Sequence, residues 1–272
     1  MRLFALLIAT ALLFGCAATR DEVKYEKLVW LNDGRLLFQK AVNHYSGETL
    51  SGSDSEFYAI AADGSGEQRL NYSYYPYFSP GAKYIATIKG ATVTIYQGSE
   101  RLVYKTFDPT GETIAALDWN PAEDGFAYVT GSGRLRYVTK DNTGDCFLAA
   151  DAEAVIWNSG SKIVFAFNDG SQSRLGLIGP DGSGRVDIDS TLTVSSPSRS
   201  KGTGEIIYGS IPQKLTRIDI SGSPKYGGTM IYPFEGANPT VSGDGLKVAY
   251  TDANSARIYV CNSDGSGVKQ LK

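Results

Sequence analysis

The stretch Asp63-Gly64-Ser65-Gly66 recurs as Asp181-Gly182-Ser183-Gly184 and again as Asp264-Gly265-Ser266-Gly267. Each copy follows an apolar run and precedes a short basic or amphipathic tail, which makes this an internal-repeat chain. Positions 63, 181 and 264 are separated by 118 and 83 residues, three and two steps of roughly 40 residues, the period of propeller blades. An intervening unit holds a degenerate copy. Tyr137-Val138-Thr139-Lys140-Asp141-Asn142-Thr143-Gly144 lines up with Tyr259 to Gly267 when one residue is dropped before the turn.

A second set of turns lies upstream in each unit, around Gly34, Gly81, Gly125, Gly160, Gly204 and Gly245, with a mean step of about 42 residues. Tight hairpins that match strand twist need positive φ, which glycine supplies, and proline fixes a neighbouring φ. An apolar triplet follows each turn: Leu36-Leu37-Phe38, Tyr84-Ile85-Ala86, Phe126-Ala127-Tyr128, Ile163-Val164-Phe165, Ile206-Ile207-Tyr208 and Val248-Ala249-Tyr250. Continuous apolar triplets suit strands covered on both faces. The pattern predicts an all-β fold, a six-bladed β-propeller of four-stranded antiparallel blades over residues 24–272. The segment Ala41 to Glu56 reads as a long irregular insertion, a solvent loop carrying the single histidine, His44. Val23 to Trp30 begins the first blade and Val268 to Leu271 completes the sixth, so ring closure is expected to rest on packing between these blades rather than on a shared strand.

The front of the chain, residues 1–15, has one cation at Arg2 and an apolar run from Leu3 to Phe14. That run is too short to span a bilayer as a helix and sits where a signal peptide's hydrophobic region belongs. Leu13-Phe14-Gly15-Cys16 resembles the bacterial lipobox at Leu13, Gly15 and Cys16 and departs from it at Phe14. This resemblance implies a cleaved signal peptide, lipidation of Cys16 with palmitate-like chains, and a short tether over 16–23. An ordinary secretory signal with Cys16 incidental is the alternative. Each buried methylene contributes about 0.8 kcal/mol, so two or three acyl chains anchor a soluble domain stably. The segment also resembles bacterial lipoproteins in which Asp after the cysteine means retention in the inner membrane, so Ala17 there implies the outer membrane; the periplasmic face is the expected side, with surface exposure left open.

The units Phe78-Ser79-Pro80-Gly81-Ala82-Lys83-Tyr84-Ile85-Ala86 and Ile258 to Gly267 resemble the repeat of TolB-type propellers, which pairs a Ser-Pro-Asp-Gly turn with an aromatic strand and a later Asp-Gly turn. The resemblance covers residues 24–271 and implies the six-bladed ring. It does not imply an activity, because related repeats serve both periplasmic scaffolds and propellers that gate prolyl peptidases. The type's namesake also carries an α/β domain before its ring, whereas here the first blade is expected almost directly after the cysteine, and on the repeats alone the namesake's partner is not carried over.

With 26 Lys and Arg against 29 Asp and Glu, the net charge of −3 gives no bias toward nucleic acid. A His-dependent triad would need His44, which has no nucleophile elbow beside it. Too few Cys and His are present for zinc, each Asp-Gly-Ser-Gly loop has too few acids for calcium, and no phosphate loop is present, so no metal or cofactor is expected. Cys146 and Cys261 fall in the third and sixth units, nearly opposite in a ring, and read as two separate, mostly buried thiols. Asp118-Trp119 and Ile156-Trp157 read as a repeated core position. The binding candidate is aromatic: Asn71-Tyr72-Ser73-Tyr74-Tyr75-Pro76-Tyr77-Phe78 brings Tyr72, Tyr74 and Tyr75 to the approach of the second blade's inner strand. The expected function is a non-catalytic, monomeric envelope lipoprotein, membrane-bound through its anchor, whose ring binds a protein or peptide. The alternative is a carbohydrate-active or other hydrolytic propeller using acidic residues at the channel mouth.

Overall fold

Segments that are apolar on both sides of a strand must be covered on both sides, and in this chain they are. Leu36, Leu37, Phe126, Ala127, Ile163, Val164, Val248 and Ala249 are wholly buried. They lie in the second strands of four of the six sheets, each sheet a four-stranded antiparallel meander. The structure, a computed structural model, describes residues 18–98, 101–158, 162–188, 195–199, 205–209, 214–219 and 229–272. The expected signal peptide with Cys16, and the turns at Gly160 and Gly204, lie outside the described residues.

Blade one comprises β1 (Thr19–Trp30), β2 (Leu36–Ser46), β3 (Thr49–Ile60) and β4 (Gln68–Leu70), and blade two β5 (Tyr77–Phe78), β6 (Tyr84–Lys89), β7 (Thr92–Gln97) and β8 (Leu102–Phe107). Blade three holds β9 (Ile114–Trp119), β10 (Gly125–Thr130), β11 (Leu135–Thr139) and β12 (Cys146–Ala149), and blade four β13 (Ala152–Trp157), β14 (Ile163–Asn168), β15 (Ser173–Ile178) and β16 (Val186–Ile188). Blade five has β17 (Ser195–Arg199), β18 (Glu205–Gly209), β19 (Lys214–Asp219) and β20 (Thr229–Glu235), and blade six β21 (Ala237–Val241), β22 (Lys247–Thr251), β23 (Ile258–Asn262) and β24 (Lys269–Gln270). Among the described residues there is no helix.

The turns follow one geometry with a shifted glycine. Between the first two strands the left-handed residue is Gly34 in blade one and Gly245 in blade six, but Ala82 in blade two and Glu123 in blade three. Gly81 and Gly125, expected to supply that conformation, do not. At Gly125 a Cβ would lie 2.7 Å from the Val138 carbonyl oxygen, so this glycine serves close strand approach. In the Asp-Gly-Ser-Gly turns, Gly64, Gly182 and Gly265 are left-handed. The carboxylates of Asp63, Asp181 and Asp264 accept bonds from the N–H and Oγ of Ser65, Ser183 and Ser266. The serine hydroxyls, more than any other neighbour, hold these carboxyls below their usual range. In the degenerate copy Asn142 donates its N–H to the Thr139 carbonyl as Gly265 does to Asn262. Thr139 therefore aligns with Asn262 directly, and no residue is dropped.

Adjacent blades bury one another's faces. Trp119 and Phe126 pack with Tyr84 and Ile95 between blades two and three, and Trp157 packs with Val129 and Leu135 between three and four. Tyr232 packs with Val248 and Cys261 between five and six. The ring closes without a shared strand, since β1 pairs in the first sheet and β24 in the sixth. Leu28, Trp30 and Ile60 pack on Ala249, Ile258 and Val260, and the Trp30 indole N–H donates to the Thr240 carbonyl at 3.2 Å. Lys269 Nζ donates to the Asp63 carbonyl at 2.7 Å, and Lys272 pairs with Glu67. Cys261 is buried and Cys146 half-buried, both free, and burial pushes the Cys261 thiol up to about 12.

Two expectations about the front of the ring are corrected. The segment Ala41 to Glu56 is not an irregular loop but the continuation of β2 and β3, paired from Ala41↔Ser55 to Ser46↔Thr49. The tether expected over 16–23 is strand from Thr19 onward, paired with β2. Neither segment has an apolar face; their strands hold together by pairing and by polar contacts between strands, which a search for hydrophobic alternation passes over.

The closure contact is testable. Trp30→Phe keeps a ring in the seam and deletes the indole donor, so unfolding in urea is expected to lose about 1 to 2 kcal/mol, and Trp30→Ala about 3 to 5 kcal/mol. An unchanged midpoint in Trp30→Ala would show that closure does not depend on this seam.

Candidate functional site

The innermost strands of the blades line a central channel, and their bulges decide which side chains point into it. Register slips between Glu26 and Val29 in β1, between Ala152 and Ala154 in β13, and between Ala237 and Thr240 in β21. Bulges of this kind re-aim a side chain and increase local twist. Counting back from the turn, Lys27, Tyr75 and Asn238 occupy the same position in blades one, two and six, and Lys27 and Asn238 are left-handed at φ 50° and 49°.

The channel encloses a cavity of about 330 Å³ whose polar lining includes Lys27, Asn32, Tyr75, Tyr77, Asp118 and Asn238. A second cavity, also about 330 Å³, adjoins it and shares Lys27, Tyr75 and Tyr77, adding Gln39, Ser55 and Tyr74. Tyr75 and Tyr77 meet edge to face at 4.8 Å between ring centroids, and Lys27 Nζ lies 5.3 Å from the Tyr75 ring centre. Burial raises the Tyr75 phenol and pushes Tyr77 up to about 12. Both therefore offer neutral hydroxyls and apolar ring faces. Lys27 is exposed, and its ammonium makes no ion pair among the described residues, only the contact with the Tyr75 ring.

The three tyrosines singled out in the sequence go to different places. Tyr75 reaches both cavities, and Tyr74 stands exposed over the second. Tyr72 is wedged in the seam between blades one and two, edge-on to Phe57 and Phe78, with the Arg101 guanidinium 4.0 Å above its ring. Lys27, Tyr77 and Asn238 were missed as site residues. Only counting back from the turn in every blade would have found them, because no composition signal marks a bulge.

Trp119 and Trp157 are core, as expected, whereas Asp118 beside Trp119 lines the channel. Its Oδ2 accepts the Trp157 backbone N–H at 2.6 Å. The Trp119 indole donates to the Tyr77 carbonyl at 2.9 Å, as Trp30 does to Thr240. The Trp157 indole, at the same position, has no partner among the described residues.

Acid–base hydrolysis of a glycoside requires two carboxyls flanking one bond, one of them held protonated. Among the described residues the channel cavity has a single carboxylate, Asp118. A third cavity, of about 690 Å³ between blades three and four, includes Asp151, Glu153 and Asp169. Glu153 accepts bonds from Ser173 and Asn168, and hydrogen bonds led by that from Ser171 hold the Asp169 carboxyl far below its usual range. Asp169 is thus suited to a turn and not to proton donation. No group of three or more His, Cys, Asp and Glu among the described residues could hold a metal.

His44 lies on β2 outside the channel lining. Its Nδ1 is 2.7 Å from Asp21 Oδ1 and its Nε2 is 3.2 Å from Asp54 Oδ2. Hydrogen bonds to the two carboxylates raise its pKa and occupy both ring nitrogens.

No protein-family profile and no curated protein matches the sequence. Among solved structures the chain is similar to TolB from Acinetobacter baumannii, with a TM-score of 0.59 at 11% identity over 91% of this chain and 78% of that one. It is also similar to the β-propeller domain of Myceliophteria thermophila Cps50 (Swd1), with a TM-score of 0.55 at 12% identity over 72% of this chain. The chain spans 66% of that domain's length. At these identities the likeness establishes the fold, a TolB-like β-propeller.

The histidine bridge predicts a pH response. Because the folded pKa is raised, its contribution is complete below the ordinary histidine value of about 6.5 and is lost as pH rises through the folded value. Amide exchange at Asn43, His44 and Tyr45, corrected for intrinsic rates, is expected to be slower at about pH 5.5 than at about pH 8.5. The difference should vanish in His44→Gln, and persistence there would assign it to other groups.

Proposed function

We propose that this chain is a non-catalytic envelope lipoprotein, anchored through Cys16 to the periplasmic face of the outer membrane, whose ring binds an extended protein or peptide segment at the channel. The observation that carries this reading is the pair of adjoining cavities joined by Lys27, Tyr75 and Tyr77. Tyrosine rings supply rigid contact area with a hydrogen-bonding tip, the features that concentrate binding energy at protein interfaces. An ammonium that makes no ion pair among the described residues, at a left-handed backbone position, adds a fixed point for an acceptor on the partner. Two linked cavities accommodate successive side chains of an extended segment. Tyr74 and Tyr75 are the contacting tyrosines in this reading, and Tyr72 supports them from the seam. The lipobox supports the anchor, and the TolB-like fold is compatible with an envelope scaffold.

Selection from a displayed peptide library on the purified ring, followed by fluorescence anisotropy on the selected peptides, tests the site. Lys27→Ala and Tyr75→Ala are each expected to weaken binding about tenfold, near 1.4 kcal/mol, while Tyr74→Ala weakens it less and Tyr72→Phe leaves it unchanged. Equal affinity in all four variants would remove the channel as the site. Retention of oligosaccharides with no peptide selected would favour the carbohydrate-active alternative. Mass spectrometry of the mature chain tests the anchor: the expected species begins at Cys16 and carries fatty acyl groups.

A further inference from the structure

Blade one differs from the other blades in the length of three strands. β1, β2 and β3 run 12, 11 and 12 residues, while β4 pairs only with Phe57, Tyr58 and Ala59. Residues 19–26, 39–46 and 49–56 therefore form a three-stranded arm beyond the four-stranded part of the blade. Its outer residues are mostly exposed, and it is tied together by polar contacts: Asp21, His44 and Asp54 across three strands, Tyr45 Oη to Glu22 at 3.0 Å, and Ser53 Oγ to Asn43 at 2.9 Å.

The chain enters this arm at its tip. Thr19 pairs with Ser46 beside the hairpin turn, and the Gly47 N–H donates to the Ala18 carbonyl at 3.0 Å. One residue, Ala17, separates Ala18 from Cys16. Two residues of extended chain reach about 7 Å, so an acyl chain on Cys16 that enters a bilayer brings the tip to the bilayer surface. The tip also carries suitable chemistry. Arg20, Tyr45 and Leu50 are register partners in one row across the strands. The Arg20 guanidinium lies 4.9 Å from the Tyr45 ring centre, and Leu50 is 55% exposed. A cation, an amphipathic ring and an aliphatic side chain are the groups that the headgroup region accommodates.

We propose that the arm is a membrane-docking spacer, with Arg20, Tyr45 and Leu50 seated in the lipid headgroup region and the ring held off by the arm's length, about 26 Å for eight residues of strand. The proposal rests on the reading of Cys16 as the lipid anchor. Asp21, Glu22 and Glu48 beside the row offset Arg20, so the tip has no net attraction to anionic lipid and docks only when the anchor delivers it. The second cavity includes Gln39 and Ser55 from the root of the arm, so it opens on the side of the ring that faces the membrane. A partner bound there lies in the gap between ring and bilayer.

The test uses the mature lipoprotein, its acylation verified by mass, in vesicles of phosphatidylethanolamine and phosphatidylglycerol. An environment-sensitive fluorophore is attached at Glu48→Cys on the tip or at Ser55→Cys at the root, with Cys146→Ser to prevent labelling there. The tip label is expected to shift to the blue and to be quenched by a headgroup-linked quencher, and the root label to do neither. Leu50→Asp, a change at an exposed side chain, is expected to lose the shift with acylation intact. A chain without acyl groups would overturn both the anchor and the spacer. An acylated chain whose tip label behaves as in water would overturn the spacer alone, and an undiminished shift in Leu50→Asp would overturn the role of the row.

Discussion

Everything in this ring depends on the seam between neighbouring blades. The second strand of each blade is apolar on both faces, so no blade can hide it alone, and a sheet is stable only with another sheet on either side. The last residue of the innermost strand sets the seam. Trp119 fills the space between blades two and three, Trp157 that between three and four, and Trp30 that between six and one. In two of these the indole N–H also satisfies a carbonyl on the preceding blade. Because Trp30 repeats at the closure what Trp119 does within the ring, the ends need no shared strand. The seam between blades one and two is built differently, from Tyr72 packed edge to face with Phe57 and Phe78, with Arg101 over the Tyr72 ring. The tyrosine-rich segment is therefore partly a seam and only partly a site.

The repeat was legible because its turns obey local rules. Aspartate caps a serine two residues on, glycine takes the left-handed position, and an apolar strand resumes. Where Ala82 and Glu123 hold that position, the spacing still marks the turn although the glycine does not. The arm was illegible for the opposite reason. Asn43-His44-Tyr45-Ser46 and Ser51-Gly52-Ser53-Asp54-Ser55 have no apolar alternation, and composition alone reads them as loop. They are strands because three long segments pair with one another and because carboxylates, a histidine and a phenol satisfy each other across them.

The site was half legible. An aromatic cluster announced itself, but which ring enters the channel is set by register, and one residue of bulge exchanges inside for outside. Lys27 has no sequence signature at all. It matters because β1 is bulged there and because Tyr75 stands beside it on the next blade.

The distribution of charge separates structure from function in this ring. Several of the carboxylates among the described residues are committed to geometry: Asp63, Asp181 and Asp264 to the serines of their turns, Asp169 to Ser171, Asp145 to Arg136 and Tyr128. A carboxylate that accepts two or three hydrogen bonds within its own turn is neither a proton donor nor a free ligand. At the junction of the two cavities the balance is reversed. There the phenols are neutral, the lysine makes a ring contact and no ion pair among the described residues, and the surfaces are concave. The turn carboxylates are thus satisfied within the chain, whereas the channel sets a lysine without an ion pair among the described residues beside neutral phenols, the kind of surface that a partner's polar groups can complete.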